Sequence, residues 1–240
     1  MTVHTPPPGS PNGGEPGDRI IVQAGRYAEP PIVIDVPRVT VEGRGWPEFT
    51  GSGEHSVVIV AAEGVTVRGI LATNTGYSDL DDRAGILVRD TRDCVVEGNR
   101  LRDVTFGVYL RRSTGCVVRQ NDVVAHVTLQ SGGGNGVHLW YSPHNRIERN
   151  TVRGHRDGIY FEFSPNSVAA DNESAQNQRY GLHFMFSDSC RYVSNTFRDN
   201  VSGVAVMFSR GVVIHGNRFE HAWGGEILVP KIPSNGSTPK

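Results

Sequence analysis

A glycine followed fourteen residues later by an asparagine recurs six times in this chain. The pairs are Gly85 and Asn99, Gly107 and Asn121, Gly136 and Asn150, Gly158 and Asn172, Gly181 and Asn195, and Gly203 and Asn217. Successive glycines stand 22, 29, 22, 23 and 22 residues apart, and each opens a unit reading Gly-apolar-x-apolar-x-x-Ser/Thr. The apolar pairs, such as Ile86 and Val88 or Leu182 and Phe184, alternate with the period of a strand. Further apolar positions follow at the eleventh residue (Val96, Val118, Ile147, Ala169, Tyr192, Ile214) and the sixteenth (Leu101, Val123, Val152, Ser174, Phe197, Phe219). A unit with two or three short strands cannot close a sheet alone, but it can form one turn of a solenoid whose strands pair with the turns above and below. The expected fold is all-β, a single-stranded parallel β-helix of about eight to ten turns.

The same reading sets the boundaries. Residues 1–17 are Pro/Gly-rich and expected to be flexible, residues 18–229 form the β-helix, and residues 230–240 are a polar, flexible tail. Residues 32–36, 39–42, 57–60 and 65–70 read as earlier, less regular turns. The 29-residue step predicts a surface loop over residues 127–134, around Ser131-Gly132-Gly133-Gly134. A last turn is expected to start at Gly225 and to stop at Pro230 and Pro233. Lys+Arg number 24 against 25 Asp+Glu, so the net charge of -1 offers no general attraction for nucleic acid or an anionic membrane. No apolar run reaches the roughly 18 residues of a membrane span, and the first residues lack the pattern of a signal peptide, which predicts a soluble chain.

Stacked turns convert each repeat position into a ladder of side chains about 4.8 Å apart. The asparagine column is expected to cap backbone groups at a tight bend. Cys94, Cys116 and Cys190 share a column with Asn145, Ser167 and Val212, which predicts small, buried, structural thiols. The two columns expected to face outward from the first strand carry more information. Two residues after the glycine stand Leu87, Tyr109, His138, Tyr160, His183 and Ala205; four after it stand Arg89, Arg111, Trp140, Glu162, Met185 and Met207. A solvated face should carry Thr, Lys, Glu or Arg, yet this one gathers two His, two Met, a Trp and a Tyr from Gly136 onward. Tyr141, Phe163, Phe186 and Phe208 lie at its margin.

His183 and Met185 are expected about 7 Å apart on one face, with Met207 about 4.8 Å beyond Met185. Imidazole with thioether is a soft donor set that suits Cu(I) better than Zn²⁺ or Ca²⁺. The metal candidates are His183, Met185 and Met207, with His138 outlying. The same residues also fit a docking patch for a protein partner framed by Trp140, Tyr160, Glu162, Phe186 and Phe208. An enzyme would need clustered carboxylates or a base among basic groups. The outer face is expected to carry one carboxylate, Glu162, while Asp157 reads as a turn residue and His155 as part of a solvated turn.

The runs Gly134-Asn135-Gly136-Val137-His138-Leu139-Trp140, Gly154-His155-Arg156-Asp157-Gly158-Ile159-Tyr160-Phe161-Glu162-Phe163-Ser164, Arg179-Tyr180-Gly181-Leu182-His183-Phe184-Met185-Phe186-Ser187 and Gly203-Val204-Ala205-Val206-Met207-Phe208-Ser209 closely resemble the NosD family. These are periplasmic β-helix proteins of nitrous oxide reductase maturation. The resemblance runs over residues 17–223 and implies a right-handed solenoid. It also implies a non-enzymatic role in copper delivery, with an ABC transporter, a copper chaperone and nitrous oxide reductase as partners, and transient Cu(I) as cargo. Members of that family are exported and longer, so a periplasmic location is implied although no signal peptide is visible. The competing expectation is a carbohydrate-active β-helix, a polyuronate lyase or C-5 epimerase; a third is an assembly platform without a ligand.

Overall fold

The computed structural model describes residues 14–28, 31–125, 133–222 and 227–228. Among the described residues 27 short strands sort into three nine-stranded sheets, each collecting every third strand. Sheet one runs from Arg19–Val22 to Val213–His215, sheet two from Arg26–Tyr27 to Arg218–Glu220, and sheet three from Ile32–Ile34 to Ile227–Leu228. Neighbouring strands are parallel throughout, so each turn of chain lays one strand on every sheet and the fold is a nine-turn parallel β-helix. The register is the one read from the repeat: Ile86, Val108, Val137, Ile159, Leu182 and Val204 are successive partners. The expected loop over residues 127–134 lies mostly outside the described residues, as do residues 1–13 of the N-terminal segment, most of the last turn and the tail.

The inward columns form one continuous core. Val96, Val118, Ile147, Ala169 and Tyr192 on sheet one, and Leu110, Leu139, Phe161 and Phe184 on sheet three, are all but fully excluded from solvent. Burying each such Val, Leu or Phe side chain contributes about 1.5–3 kcal/mol. The three cysteines are buried and free, as their small-residue column required.

Two polar devices shape the turns. At the bend between sheets one and two, the residue before each asparagine takes a left-handed conformation: Gly98, Gln120, Arg149, Asp171, Ser194 and Gly216 have φ between 54° and 63°. For the four that are not glycine this costs on the order of 1 kcal/mol or more each. The asparagine ladder offsets it. Each Nδ2 donates to the Oδ1 of the next asparagine at 2.9–3.0 Å, from Asn99 through Asn217, and also to a carbonyl in an earlier strand.

The second device is the repeat glycine, where the limit is space. A Cβ on Gly136 would stand 2.1 Å from Val152 Cγ1, and one on Gly158 would stand 1.9 Å from Ser174 Oγ. The glycine therefore faces the core, and so does the residue after it. Strand alternation breaks at this point, and the residue before the glycine comes out on the same outer face as the residue two after it.

Candidate functional site

The break in alternation gives the outer face of sheet three a column that strict period two does not supply: Ala84, Phe106, Asn135, Asp157, Tyr180 and Ser202. At the early turns this column and the next make a small second core of Ala84, Leu87, Phe106 and Tyr109, with Ile59 and Trp140 packed against it. Farther along, the column of Tyr109, His138, Tyr160 and His183 becomes a continuous ring stack. Its centroids lie 4.8, 4.8 and 4.4 Å apart with interplanar angles of 9–17°. Because each ring covers the next, these side chains are buried: Tyr160 is 6 % and His183 4 % exposed. The expectation of an open, solvated column is therefore corrected; the column faces outward but is sealed by its own stacking. Tyr160, expected to frame a docking surface, is part of this buried stack.

Asp157 is the largest departure from the sequence reading. It lies in the strand Asp157–Glu162, not in a turn, and its side chain is fully buried on the outer face. The outer face thus carries two carboxylates here, Asp157 and Glu162, where one was expected. Arg179 donates to it through Nε at 2.9 Å and through a terminal nitrogen at 2.5 Å, while His183 Nδ1 lies 3.3 Å from Asp157 Oδ2. Burial alone would raise the Asp157 carboxyl, but the hydrogen bonds from His183 and Arg179 outweigh it and hold the group down at about 2. The sequence reading placed Asp157 in a turn and gave Arg179 no role. The signal that could have found Asp157 is the column just before the glycines, which holds Ala, Phe, Asn, Asp, Tyr and Ser and no Lys or Arg; Arg179 lies outside that column.

Met185 and Met207 are register partners at the open end of this face and are half-buried. The Tyr160 hydroxyl lies 3.2 Å from Met185 Sδ, within hydrogen-bond reach of the thioether. Glu162 is the partner of Met185 on the other side, so carboxylate, thioether and thioether run in line beside the His183 ring. His138 is separated from His183 by the Tyr160 ring, and its Nε2 stands 3.4 Å from Glu162 Oε2 without an aligned hydrogen bond. The His138 imidazole beside it holds the Glu162 carboxyl below the usual carboxylate range, against the opposing effect of burial. The structure therefore brings His183, Met185 and Met207 onto one patch and places His138 in a neighbouring pair with Glu162. Burial, with the negative charges of Glu162 and Asp157 nearby, pushes the Tyr160 hydroxyl up and keeps it a neutral donor.

The margin differs from the buried stack. Tyr141, Phe163, Phe186 and Phe208 stack edge-on to solvent with centroids 4.7, 4.9 and 5.0 Å apart. Tyr141, Phe186 and Phe208 are 41–52 % exposed, and all four have φ of 47–50°. Bulky residues in the left-handed region carry strain, and exposed rings contribute little burial in return. Trp140 packs edge-on against Tyr141 and is partly covered. His155, read as part of a solvated turn, is instead fully buried. Neither of its ring nitrogens has a hydrogen-bond partner among the described residues, and burial pushes its imidazole down to about 4.

A solenoid of three parallel sheets, with buried polar stacks and a soft-donor patch on the outside of one of them, defines the class. The chain belongs to the right handed beta helix region family, whose model matches residues 48–144 and 84–230. It is 33% identical over 155 residues to the probable ABC transporter binding protein NosD of Pseudomonas aeruginosa, covering 64% of this chain and 36% of that protein. The chain thus spans about a third of the length of that curated relative. Among solved structures, it resembles an alginate lyase from Paenibacillus (TM-score 0.64, 15% identity, 90% of this chain and 92% of that one). It also resembles a polygalacturonase from Erwinia carotovora (TM-score 0.69, 9% identity, 88% of this chain and 75% of that one). At those identities the structural likeness shows the fold alone.

Proposed function

We propose that this chain is a non-enzymatic accessory protein that handles copper during maturation of nitrous oxide reductase. In this reading it works in the periplasm beside an ABC transporter. The outer face of sheet three receives a copper carrier, with His183, Met185 and Met207 as contacts for Cu(I). The observation that carries the reading is the gathering of two thioethers and an unpartnered imidazole nitrogen on one outer face. Met185 and Met207 are neighbours at the surface end of the patch, and His183 Nε2 is buried beside it with no hydrogen-bond partner among the described residues. An orphaned acceptor and two partly exposed thioethers contribute little to folding, whereas together they form a soft site for a d¹⁰ ion. The likeness to NosD, 33% identity over 155 residues, supports the same assignment. The exposed ring stack of Phe186 and Phe208 beside the site supplies an apolar edge for the carrier.

Anaerobic titration with Cu(I) against a competing chelator tests this. Wild type is expected to bind about one equivalent, and the triple variant His183→Ala/Met185→Ala/Met207→Ala to lose it. Equal affinity in both proteins would remove the site.

The second reading is a carbohydrate-active enzyme acting on a uronate polymer. One observation favours it: Asp157, Arg179, His183 and Tyr160, residue types that serve acid-base chemistry on acidic sugars, meet on one face of a fold shared with an alginate lyase. Against it, the imidazole and phenol are buried in a ring stack. Appearance of unsaturated product or altered epimer content with alginate or polygalacturonate would establish the second reading over the first.

A further inference from the structure

We infer that Asp157, clamped by Arg179, is a positioning residue that fixes His183 with its hydrogen on Nδ1 and holds Nε2 out as a bare donor beside Met185. This role rests on the copper reading of the face and deepens it. His183 Nδ1 lies 3.3 Å from Asp157 Oδ2. A carboxylate oxygen can only accept, so a bare Nδ1 would set lone pair against lone pair in a buried place; the hydrogen belongs on Nδ1. Arg179 donates to both oxygens of Asp157, which leaves the carboxylate little freedom to turn away.

In imidazole Nδ1 and Nε2 are separated by one carbon and point in widely divergent directions. Nδ1 is turned toward the column of Asp157, so Nε2 points away from that column; the column on the other side of His183 is that of Glu162, Met185 and Met207. The ring cannot easily rotate, because it is stacked 4.4 Å from Tyr160 at 9° and held edge-on by Tyr180 at 4.9 Å. Nε2 itself is buried and has no hydrogen-bond partner among the described residues. A hydrogen there would be an orphaned donor, while a lone pair there costs less and remains available to a metal. A carboxylate that orients a ligating imidazole through its far nitrogen is a common outer-shell arrangement in metal sites. It accounts for an Arg–Asp–His chain around a buried carboxylate that the solenoid, with its asparagine ladder already closed, does not need.

The test has two arms. Nitrogen NMR of ¹⁵N-histidine-labelled, metal-free protein, with His183 assigned through His183→Gln, reads the tautomer directly. The expected spectrum has a protonated Nδ1 and a bare Nε2. Asp157→Asn, whose amide can donate to Nδ1, is expected to move the population toward Nε2–H and to weaken Cu(I) binding about 10–100-fold, with an unchanged far-ultraviolet circular dichroism spectrum. An Nε2–H tautomer in wild type would overturn the inference, and so would Asp157→Asn with unchanged tautomer and unchanged affinity. If that variant fails to fold, the wild-type spectrum alone decides. The expected tautomer in a wild type that binds no Cu(I) would sink the copper reading and leave the positioning role standing.

Discussion

The outer faces of sheets one and three are built on the same repeat and solve the same problem in opposite ways. On sheet one, charges alternate from turn to turn: Arg19 lies 2.5 Å from Glu42, Glu42 2.5 Å from Arg68, Arg68 3.4 Å from Glu97, and Glu97 2.6 Å from Arg119. Along these five turns each charge finds its partner one turn away. Sheet three from His138 onward stacks rings and thioethers, buries a carboxylate, and leaves His183 Nε2 without a hydrogen-bond partner among the described residues. A parallel β-helix gives every column the same geometric opportunity to satisfy itself. Where a column declines it, the residues are answering to something other than the fold.

Breaking the shared core should injure both faces together. Phe184 points inward between His183 and Met185 and is fully buried; Phe184→Ala is expected to cost about 3–5 kcal/mol in chemical denaturation. A loss under about 1 kcal/mol would mean that this strand is not packed as described.

Acid separates the contribution of buried titrating groups from that of the surface ladder. His155 is held down to about 4 in the folded chain, against 6.5 for a free imidazole. The unfolded chain therefore binds the extra proton first. Stability is complete above the unfolded value and falls as pH drops from 6.5 toward 4, by about 3 kcal/mol. Asp157, at about 2 in the folded state against 3.8 when free, adds a second loss as pH falls from 3.8 to 2. Melting temperatures across pH should show two windows, and His155→Leu should abolish the upper one. An unchanged upper window in that variant would place the titration elsewhere.

The ladder of sheet one should respond weakly. Glu42→Gln is expected to change stability by no more than about 1 kcal/mol, and the difference should shrink in high salt, because its arginine partners are well exposed. The smallest effect belongs to the aromatic margin. Phe186 and Phe208 occupy left-handed corners that Asn tolerates better, so Phe186→Asn and Phe208→Asn should leave stability unchanged or raise it by a few tenths of a kcal/mol. A marked loss in either would show that the exposed rings hold the fold and are not reserved for a partner.

Much of the fold was legible because stacking turns makes sequence spacing and spatial register the same thing. The inward columns, the asparagine ladder, the thiol column and the pairing of Met185 with Met207 all follow from counting. Two features were not legible. Alternation fails at the repeat glycine, whose role is steric, so Asp157 and Tyr180 were not expected beside His183. Period two also assigns a direction and not an exposure: Tyr109, His138, Tyr160 and His183 face outward and are buried because rings one turn apart cover one another. His155 was missed for the related reason that a residue at a bend can turn into the core.

The chain contains three methionines, Met1, Met185 and Met207, and only the latter two belong to the proposed site. Methyl-¹³C-methionine protein titrated anaerobically with Cu(I) and followed by methyl NMR tests the central claim most directly. Shifts of the Met185 and Met207 methyls that saturate together near one equivalent, with Met1 unmoved, are the predicted result. Unperturbed Met185 and Met207 signals at saturating Cu(I) would contradict the account.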